Sequence, residues 1–123
     1  MLSSATPVGF IHVSDRDRSL AFYVDTLGLR LKSSDPFGDF LQSGPGLIRM
    51  TVLADYKADG RPRYGWDVAD IAAEVSALRT RGVVFNVYDG MGQDALGIWT
   101  SPGGSKVAWF NDPDGNLLSL SQT

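Results

Sequence analysis

The chain has 123 residues, no cysteine and a formal net charge of −3, and 43% of its residues are hydrophobic. This length and composition are typical of one globular domain. The lack of cysteine excludes disulfides, cysteine-bound metals and thiol nucleophiles, and the acidic balance argues against nucleic acid as a partner. No apolar run approaches the roughly 20 residues of a membrane span, so we expect a cytoplasmic protein that does not enter a membrane.

The first half of the chain predicts a strand, a helix and three further strands. The stretch 7–13 is apolar and partly β-branched, which indicates a strand. Asp15 is a candidate N-cap, and apolar residues follow it at helical spacing as far as Gly28, which is placed to end the helix. Strands are predicted near 29–33, 38–42 and 47–53, because turn-forming residues separate these runs.

The second half repeats this order after the polar segment 55–62, which we interpret as a linker. A strand is predicted over 63–68, Asp70 is placed to cap a second helix, and Gly82 is placed to end it. Further strands are expected near 83–87, 96–100, 105–110 and 116–121. The glycine-rich loop 89–97 is the segment that we expect to be most mobile.

The order of these elements indicates an internal repeat. Val13 and Asp15 recur as Val68 and Asp70, and the glycine that ends each helix follows at a similar spacing. The sequence therefore predicts an α+β fold of two tandem βαβββ modules within a single domain. The modules are predicted to span residues 1–54 and 63–123.

Two segments carry a resemblance to a known family. They read FIHVSDRDRSLAFYVDTLGL (residues 10–29) and AWFNDPDGNLLSL (residues 108–120). Together they resemble the vicinal oxygen chelate superfamily, which includes glyoxalase I, extradiol dioxygenases, and fosfomycin- and bleomycin-resistance proteins. The resemblance covers nearly the whole chain and implies that the two modules form a concave half-barrel.

The resemblance also implies four positions at which many members bind a divalent metal. In this sequence the four positions hold Val8, Arg49, Arg63 and Ser119. Valine has no donor atom, and the fixed positive charge of arginine repels a cation. We therefore expect no metal and no other cofactor, and the metal-dependent chemistry of the family is not supported.

The same positions predict which side chains line the concave face, because strand residues alternate between the two faces of a sheet. The resemblance places Val107 and Trp109 inward as well, and Trp66 and Leu118 among the residues that face the helices. With no strand bulges, the predicted ligand-binding residues are Val8, Phe10, His12, Leu47, Arg49, Thr51, Arg63, Asp67, Val107, Trp109, Leu117 and Ser119.

This predicted lining is apolar and aromatic, with two arginines against one carboxylate, Asp67, and is therefore slightly positive. It suits a neutral or anionic planar aromatic, such as a phenol or quinone, stacked on Trp109. Each of these residues also has a purely structural explanation. His12 can be an ordinary surface residue, both arginines can pair with nearby carboxylates, and Trp109 can be core.

Three functions follow from this resemblance, and the first is favoured. It is a metal-independent protein that sequesters a hydrophobic aromatic antibiotic or metabolite, as bleomycin-resistance proteins do, and acts as a homodimer. The second is a metal-independent lyase or isomerase with His12 or Asp67 as general base. The third, a metal-dependent glyoxalase or dioxygenase, is the least favoured, because the chain holds a single histidine.

Overall fold

The fold is described from a computed structural model that covers all residues, Met1–Thr123. The chain divides into two compact units, Met1–Ala58 and Asp59–Thr123. Each unit is built on a four-stranded sheet of mixed parallel and antiparallel strands. The predicted α+β class is therefore confirmed.

The first unit has the order predicted for a βαβββ module. A short 3-10 turn at Leu2–Ser4 precedes it. Its elements are β1 (Val8–Val13), α1 (Arg16–Leu20), β2 (Arg30–Asp35), β3 (Gly38–Ser43) and β4 (Gly46–Val52).

The helix of the first unit is less regular than predicted. The Asp15 side chain caps α1 by accepting from the Arg18 backbone N–H at 3.0 Å. After one α-helical stretch the backbone widens into a π-helical turn over Ala21–Thr26, whereas the sequence predicts an α-helix as far as Gly28. The predicted end is confirmed, since Gly28 has a φ of +81°, a conformation that favours glycine.

The first sheet has the strand order β1-β4-β3-β2, with β1 parallel to β4. Ile11 and Val13 on β1 and Ile48 and Met50 on β4 are buried, so these residues mark the core face of the sheet. We call the opposite face, on which the alternate residues lie, the open face of the first unit. Burial of one face and not the other fixes the register, because a slip by one residue would exchange the faces.

The second unit repeats this arrangement. Its elements are β5 (Pro62–Asp67), α2 (Ile71–Thr80), β6 (Trp99–Thr100), β7 (Lys106–Asn111) and β8 (Leu117–Gln122). The sheet has the order β5-β8-β7-β6. As predicted, the Asp70 side chain caps α2 by accepting from the Ala73 N–H at 3.1 Å, and Gly82 follows the helix with a φ of +93°. Helix α2 packs on β7 and β8, and we call the face of the sheet turned away from it the open face of the second unit.

The prediction of a strand over 83–87 is wrong. This segment makes only one isolated bridge, between Phe85 and Phe110. The Asn86 N–H donates to the Trp109 carbonyl at 2.8 Å beside this bridge. Other backbone groups of the segment bond elsewhere, since the Val83 N–H closes the end of α2 at the Leu78 carbonyl and the Asn86 carbonyl accepts from the Gln93 side chain. The strand predicted near 96–100 is reduced to the two residues of β6.

The loop that the sequence predicts to be mobile is held by two polar side chains. Gln93 accepts from the Tyr88 N–H at 2.7 Å and donates to the carbonyls of Asn86 and Gly97 at 2.9 and 2.8 Å. The Asp94 carboxylate accepts from the backbone N–H groups of Leu96 and Ile98, the second of which lies just after the loop. The loop is therefore tied to its own backbone rather than to a strand ladder. No helix in the chain is both long enough and apolar enough to span a membrane.

Candidate functional site

The open face of the first unit holds the residues that the sequence places on it. Strands β1 and β4 pair in parallel register, and six of the predicted site residues are direct partners: Val8 with Leu47, Phe10 with Arg49, and His12 with Thr51. Phe10 is 67% exposed. Among these six residues the polar groups are the guanidinium of Arg49, the imidazole of His12 and the hydroxyl of Thr51.

Arg49 is held in an ion pair on this face. Its Nη1 and Nη2 donate to the two carboxylate oxygens of Asp35 at 2.8 and 3.0 Å, and its guanidinium lies 4.9 Å from the centre of the Phe40 ring. The hydrogen bonds from Arg49, together with those from the Phe37 and Gly38 N–H groups, lower the pKa of Asp35 to about 2. The charge of Arg49 is therefore compensated within its own unit.

His12 lies near an aromatic ring on the same unit. Its ring and that of Tyr56 have centroids 5.8 Å apart and are tilted by 39°. The side chain of His12 is exposed. A general-base role for His12 stays a prediction from the sequence.

On the second unit the structure brings a further set of predicted residues to the open face. The ladder pairs Trp109 with Ser119, Val107 with Ser121, and Asn111 with Leu117. On the other side of β8, Gly65 pairs with Ser119 and Asp67 with Ser121. Leu118, which is predicted to face the helices, is buried on the opposite face together with Leu120.

Arg63 departs from the prediction because of a strand bulge. The register of β5 shifts between Pro62 and Tyr64, so Arg63 lies outside the ladder, and the bulge-free alternation used to place it does not apply there. Its Nη2 donates to a carboxylate oxygen of Asp59 at 3.1 Å. The predicted excess of positive charge is therefore wrong, since Arg49 and Arg63 are each paired with an aspartate.

Asp67 makes no ion pair with either arginine. Its carboxylate accepts hydrogen bonds from the hydroxyl of Ser121 at 3.1 Å and from that of Thr123 at 3.2 and 3.3 Å. It remains an exposed anionic group at one end of the open face.

Two aromatic residues that the sequence did not single out pack against Trp109. The Tyr88 ring meets Trp109 edge-on with centroids 5.8 Å apart, and the Trp99 ring lies 6.2 Å from it at a tilt of 39°. Trp99 pairs with Val107 across the β6–β7 ladder, which puts it on the same face. We call Tyr88, Trp99 and Trp109 the aromatic platform. None of the three is fully buried.

Beside the platform the face is shallow. Ser119 lies opposite Trp109, and Gly65 is the next residue across the sheet. A Cβ atom at Gly65 would lie 2.6 Å from the Ser119 hydroxyl oxygen, so glycine makes room for that side chain. From Trp109 on β7 to Gly65 on β5 is two strand spacings, about 10 Å. The one side chain in this distance is the hydroxymethyl group of Ser119, so the face next to the Trp109 ring is a flat shelf.

The four metal-ligand positions of the resemblance do not fit a divalent cation. Val8 has no donor atom, Arg49 and Arg63 are already bound to aspartates, and Ser119 offers a neutral hydroxyl. Nowhere in the chain do three histidine, cysteine, aspartate or glutamate side chains come together as a potential metal site. No reaction step is therefore assigned to a metal.

The carboxylate of Asp112, in the Asp112–Gly115 turn, has a structural role. Asp112 is 5% exposed. Its carboxylate accepts from the Asp114 N–H at 2.9 Å, from the Asn116 N–H at 2.8 Å and from the Asn116 side-chain amide at 2.7 Å. These bonds fix the β7–β8 hairpin and with it the partnership of Trp109 and Ser119.

A cavity of about 340 Å³ lies elsewhere on the second unit, near the end of α2. It is lined mainly by Val83, Val84, Phe85, Val87 and Leu96, and Arg79 is its one charged residue. None of the predicted site residues borders it. The open face of the second unit is a better candidate site than this cavity, because polar and aromatic groups converge on that face.

Comparison with known proteins agrees with this fold. The model of the Glyoxalase/Bleomycin resistance protein/Dioxygenase superfamily matches residues 7–120. The chain belongs to this superfamily, which confirms the family resemblance of its sequence. Among curated proteins, the uncharacterized protein YurT of Bacillus subtilis (strain 168) is 29% identical over 129 residues, covering 91% of this chain and 94% of YurT.

Two solved structures of different description resemble the chain equally well. Lactoylglutathione lyase from Agrobacterium tumefaciens is 22% identical with a TM-score of 0.70, covering 97% of this chain and 93% of its own. TnmS3, an antibiotic binding protein from Streptomyces sp. CB03234, is also 22% identical with a TM-score of 0.70, covering 99% and 98%. At this identity both show the fold alone, so the chemistry of the site must distinguish a binding protein from an enzyme.

Proposed function

We propose that this chain is a metal-independent binding protein for an uncharged, flat aromatic molecule. The ligand lies on the open face of the second unit, against the aromatic platform. The observation that carries the proposal is the Trp109 ring, which is packed by Tyr88 and Trp99 and faces a shelf formed by Ser119 and Gly65.

The exposure of the platform favours ligand binding over core packing. The core face of the same sheet already holds buried Ala108 and Phe110 on β7, whereas Trp109 points the other way and is only half-buried. A planar ligand on the shelf would remove this apolar surface from water and stack against, or meet edge-on, the indole ring.

The charge of the site supports an uncharged ligand. Arg49 is compensated by Asp35 and Arg63 by Asp59. The remaining charge on the open face of the second unit is the carboxylate of Asp67, which would repel an anion. A neutral phenol or a quinone therefore fits better than an anionic aromatic.

A binding role is favoured over catalysis, because Asp67 is held by two hydroxyl groups and no nucleophile is paired with a base on this face. TnmS3, which is described as an antibiotic binding protein, is an example of a binding protein with this fold. We also propose that the protein acts as a homodimer, which light scattering on the purified protein tests.

Calorimetric titration with two naphthalene probes tests the function. The neutral 2-acetylnaphthalene is expected to bind more tightly than naphthalene-2-carboxylate, which the Asp67 carboxylate repels. Replacement of Trp109 by alanine should weaken the neutral probe by about tenfold. The matched control is Phe37→Ala, which removes a ring that is 72% exposed on the first unit and should leave the affinity unchanged.

Three outcomes contradict the proposal. If the wild type and Trp109→Ala bind the neutral probe with equal affinity, the aromatic platform is not part of the binding site. Loss of binding after treatment with EDTA, restored by a divalent metal, would show metal dependence. Conversion of a probe to product, detected by mass spectrometry, would identify an enzyme instead.

A further inference from the structure

A chain of amide hydrogen bonds leads to the hydroxyl group of Tyr88. The Asn111 Nδ2 donates to the Gly115 carbonyl at 3.1 Å, which turns the Asn111 Oδ1 toward Asn86. The Asn86 Nδ2 donates to that Oδ1 at 2.8 Å and to the Tyr88 Oη at 3.2 Å. An amide nitrogen has two hydrogens, so it satisfies both acceptors.

The donors and acceptors in this series of hydrogen bonds can be arranged in only one order. Reversing the Asn111 amide would place its oxygen against the Gly115 carbonyl, and two acceptors repel. With Asn111 fixed, Asn86 must present its nitrogen, and the Tyr88 oxygen must accept. A phenolic hydroxyl has one hydrogen of its own, and within the protein Tyr88 uses its oxygen as an acceptor from Asn86. That hydrogen is therefore available to an acceptor outside the protein.

The position of Tyr88 is fixed at three points. Its N–H donates to the Gln93 side chain at 2.7 Å, its ring packs edge-on against Trp109, and its oxygen accepts from Asn86. The side chain is nevertheless 38% exposed. A donor that is already held in place loses little conformational freedom when it binds a ligand, which increases its contribution to affinity.

We infer that the Tyr88 hydroxyl donates a hydrogen bond to an oxygen acceptor at the edge of the bound aromatic ligand. This inference rests on the proposed function and narrows the ligand class to neutral aromatics with a ring carbonyl, such as quinones and fused-ring ketones or lactones. Asn86 is then a positioning residue, because it acts on the ligand through Tyr88.

The experiment compares two bicyclic probes of similar size. Chromone has a ring carbonyl and naphthalene has no oxygen, and both are neutral and planar. In the wild type chromone should bind more tightly. Tyr88→Phe should lower the affinity for chromone by about fivefold to tenfold, because one neutral hydrogen bond is lost. Its affinity for naphthalene should stay within about twofold of the wild-type value.

The matched control is Tyr64→Phe. Tyr64 also packs against a tryptophan of the same unit, Trp66, with ring centroids 5.1 Å apart. Since Tyr64 pairs with Leu118 of the core face, loss of its hydroxyl should change neither affinity. A spectroscopic readout is the infrared carbonyl stretch of bound chromone, which should lie at lower frequency in the wild type than in Tyr88→Phe.

Asn86→Ala tests the positioning role, because it keeps the Tyr88 hydroxyl but removes the group that orients it. Chromone affinity should fall while naphthalene affinity is retained. If Tyr88→Phe weakens both probes equally, or neither, the inference is wrong while the proposed function stands. If the wild type binds neither probe, the proposed function fails, and the inference fails with it.

Discussion

The carboxylate of Asp35 and the guanidinium of Arg49 form a two-point ion pair, with oxygen–nitrogen distances of 2.8 and 3.0 Å. Asp35 ends β2 and Arg49 lies in the middle of β4, so the pair spans the strand between them. The same carboxylate accepts from the Phe37 and Gly38 N–H groups and closes the β2–β3 turn. One aspartate therefore both shapes the hairpin and neutralises the arginine.

The pair predicts how stability depends on pH. The ordinary pKa of an aspartate, 3.8, is lowered to about 2 in Asp35, chiefly by the hydrogen bonds from Arg49. A group whose pKa is lower in the folded state stabilises the fold above its unfolded pKa, and this stabilisation is lost as pH falls through the folded pKa. Asp35→Asn keeps an oxygen for the turn and should flatten the decline of the free energy of unfolding between about pH 4 and pH 2.

Urea unfolding at several pH values measures this effect. The exposed Asp55 provides the control, and Asp55→Asn should follow the wild-type curve. Because Asp35 is itself solvent-accessible, the difference is expected to be small. A wild-type slope that persists in Asp35→Asn would show that other carboxylates govern the acid response.

Gly65 predicts a coupling with Ser119. An added Cβ would lie 2.6 Å from the Ser119 hydroxyl oxygen and 3.3 Å from its carbonyl oxygen. Gly65→Ala should therefore destabilise the fold by about 1–2 kcal/mol, and Ser119→Ala in the same chain should recover part of the loss. A double-mutant cycle by chemical denaturation measures the coupling.

The control for this cycle is Gly103→Ala. A Cβ at Gly103 would come no closer than 3.9 Å to Ser101 Oγ, and its φ is not positive. Its effect should be near zero or slightly stabilising. Strictly additive effects of Gly65→Ala and Ser119→Ala would mean that the two side chains do not compete for space.

Asp112 should be the most sensitive carboxylate of the second unit. It is buried and accepts three hydrogen bonds between 2.7 and 2.9 Å. Asp112→Ala removes the acceptor of these three hydrogen bonds and should cost about 3 kcal/mol of unfolding free energy. Asp89→Ala, at an exposed position, should change it by less than about 0.5 kcal/mol; similar losses for both would argue against the turn as the cause.

Gln93 should control the order of the segment that carries Tyr88. Gln93→Ala removes the acceptor of the Tyr88 N–H and the donor to two carbonyls. Amide exchange at Tyr88 should accelerate, and the loop should be cleaved more readily by protease. Gln42→Ala, which removes a single 3.4 Å bond to the Gly44 carbonyl, is the control, and protection at Tyr88 that survives Gln93→Ala would contradict the prediction.

The sequence predicted the faces of the sheets where strands are regular. The resemblance places Val8 and Arg49 on one face, the two-residue period extends that face to Phe10, and the ladder pairs Phe10 directly with Arg49. It failed at Arg63, since a bulge adds a residue that periodicity does not reveal. The ends of both helices were predicted, because Gly28 and Gly82 have positive φ angles.

The ion-pair and ring-packing partners of the site residues could not be predicted from the sequence. Asp35 is separated from Arg49 by a hairpin, and nothing in the chain's periodicity selects it over other aspartates. Tyr88 is not among the predicted site residues. It comes next to Trp109 because the Asn86 N–H donates to the Trp109 carbonyl at 2.8 Å, a contact between distant parts of the chain.

The local pairing of each arginine with its own aspartate also bears on how ligand uptake responds to dissolved salt. Arg49 and Asp35, like Arg63 and Asp59, present little net field to an approaching molecule. Mobile ions screen fields between separated charges, so they have little to screen here. Uptake of an uncharged ligand should proceed almost equally in dilute and in concentrated electrolyte, in contrast to proteins that attract phosphates through unpaired cations.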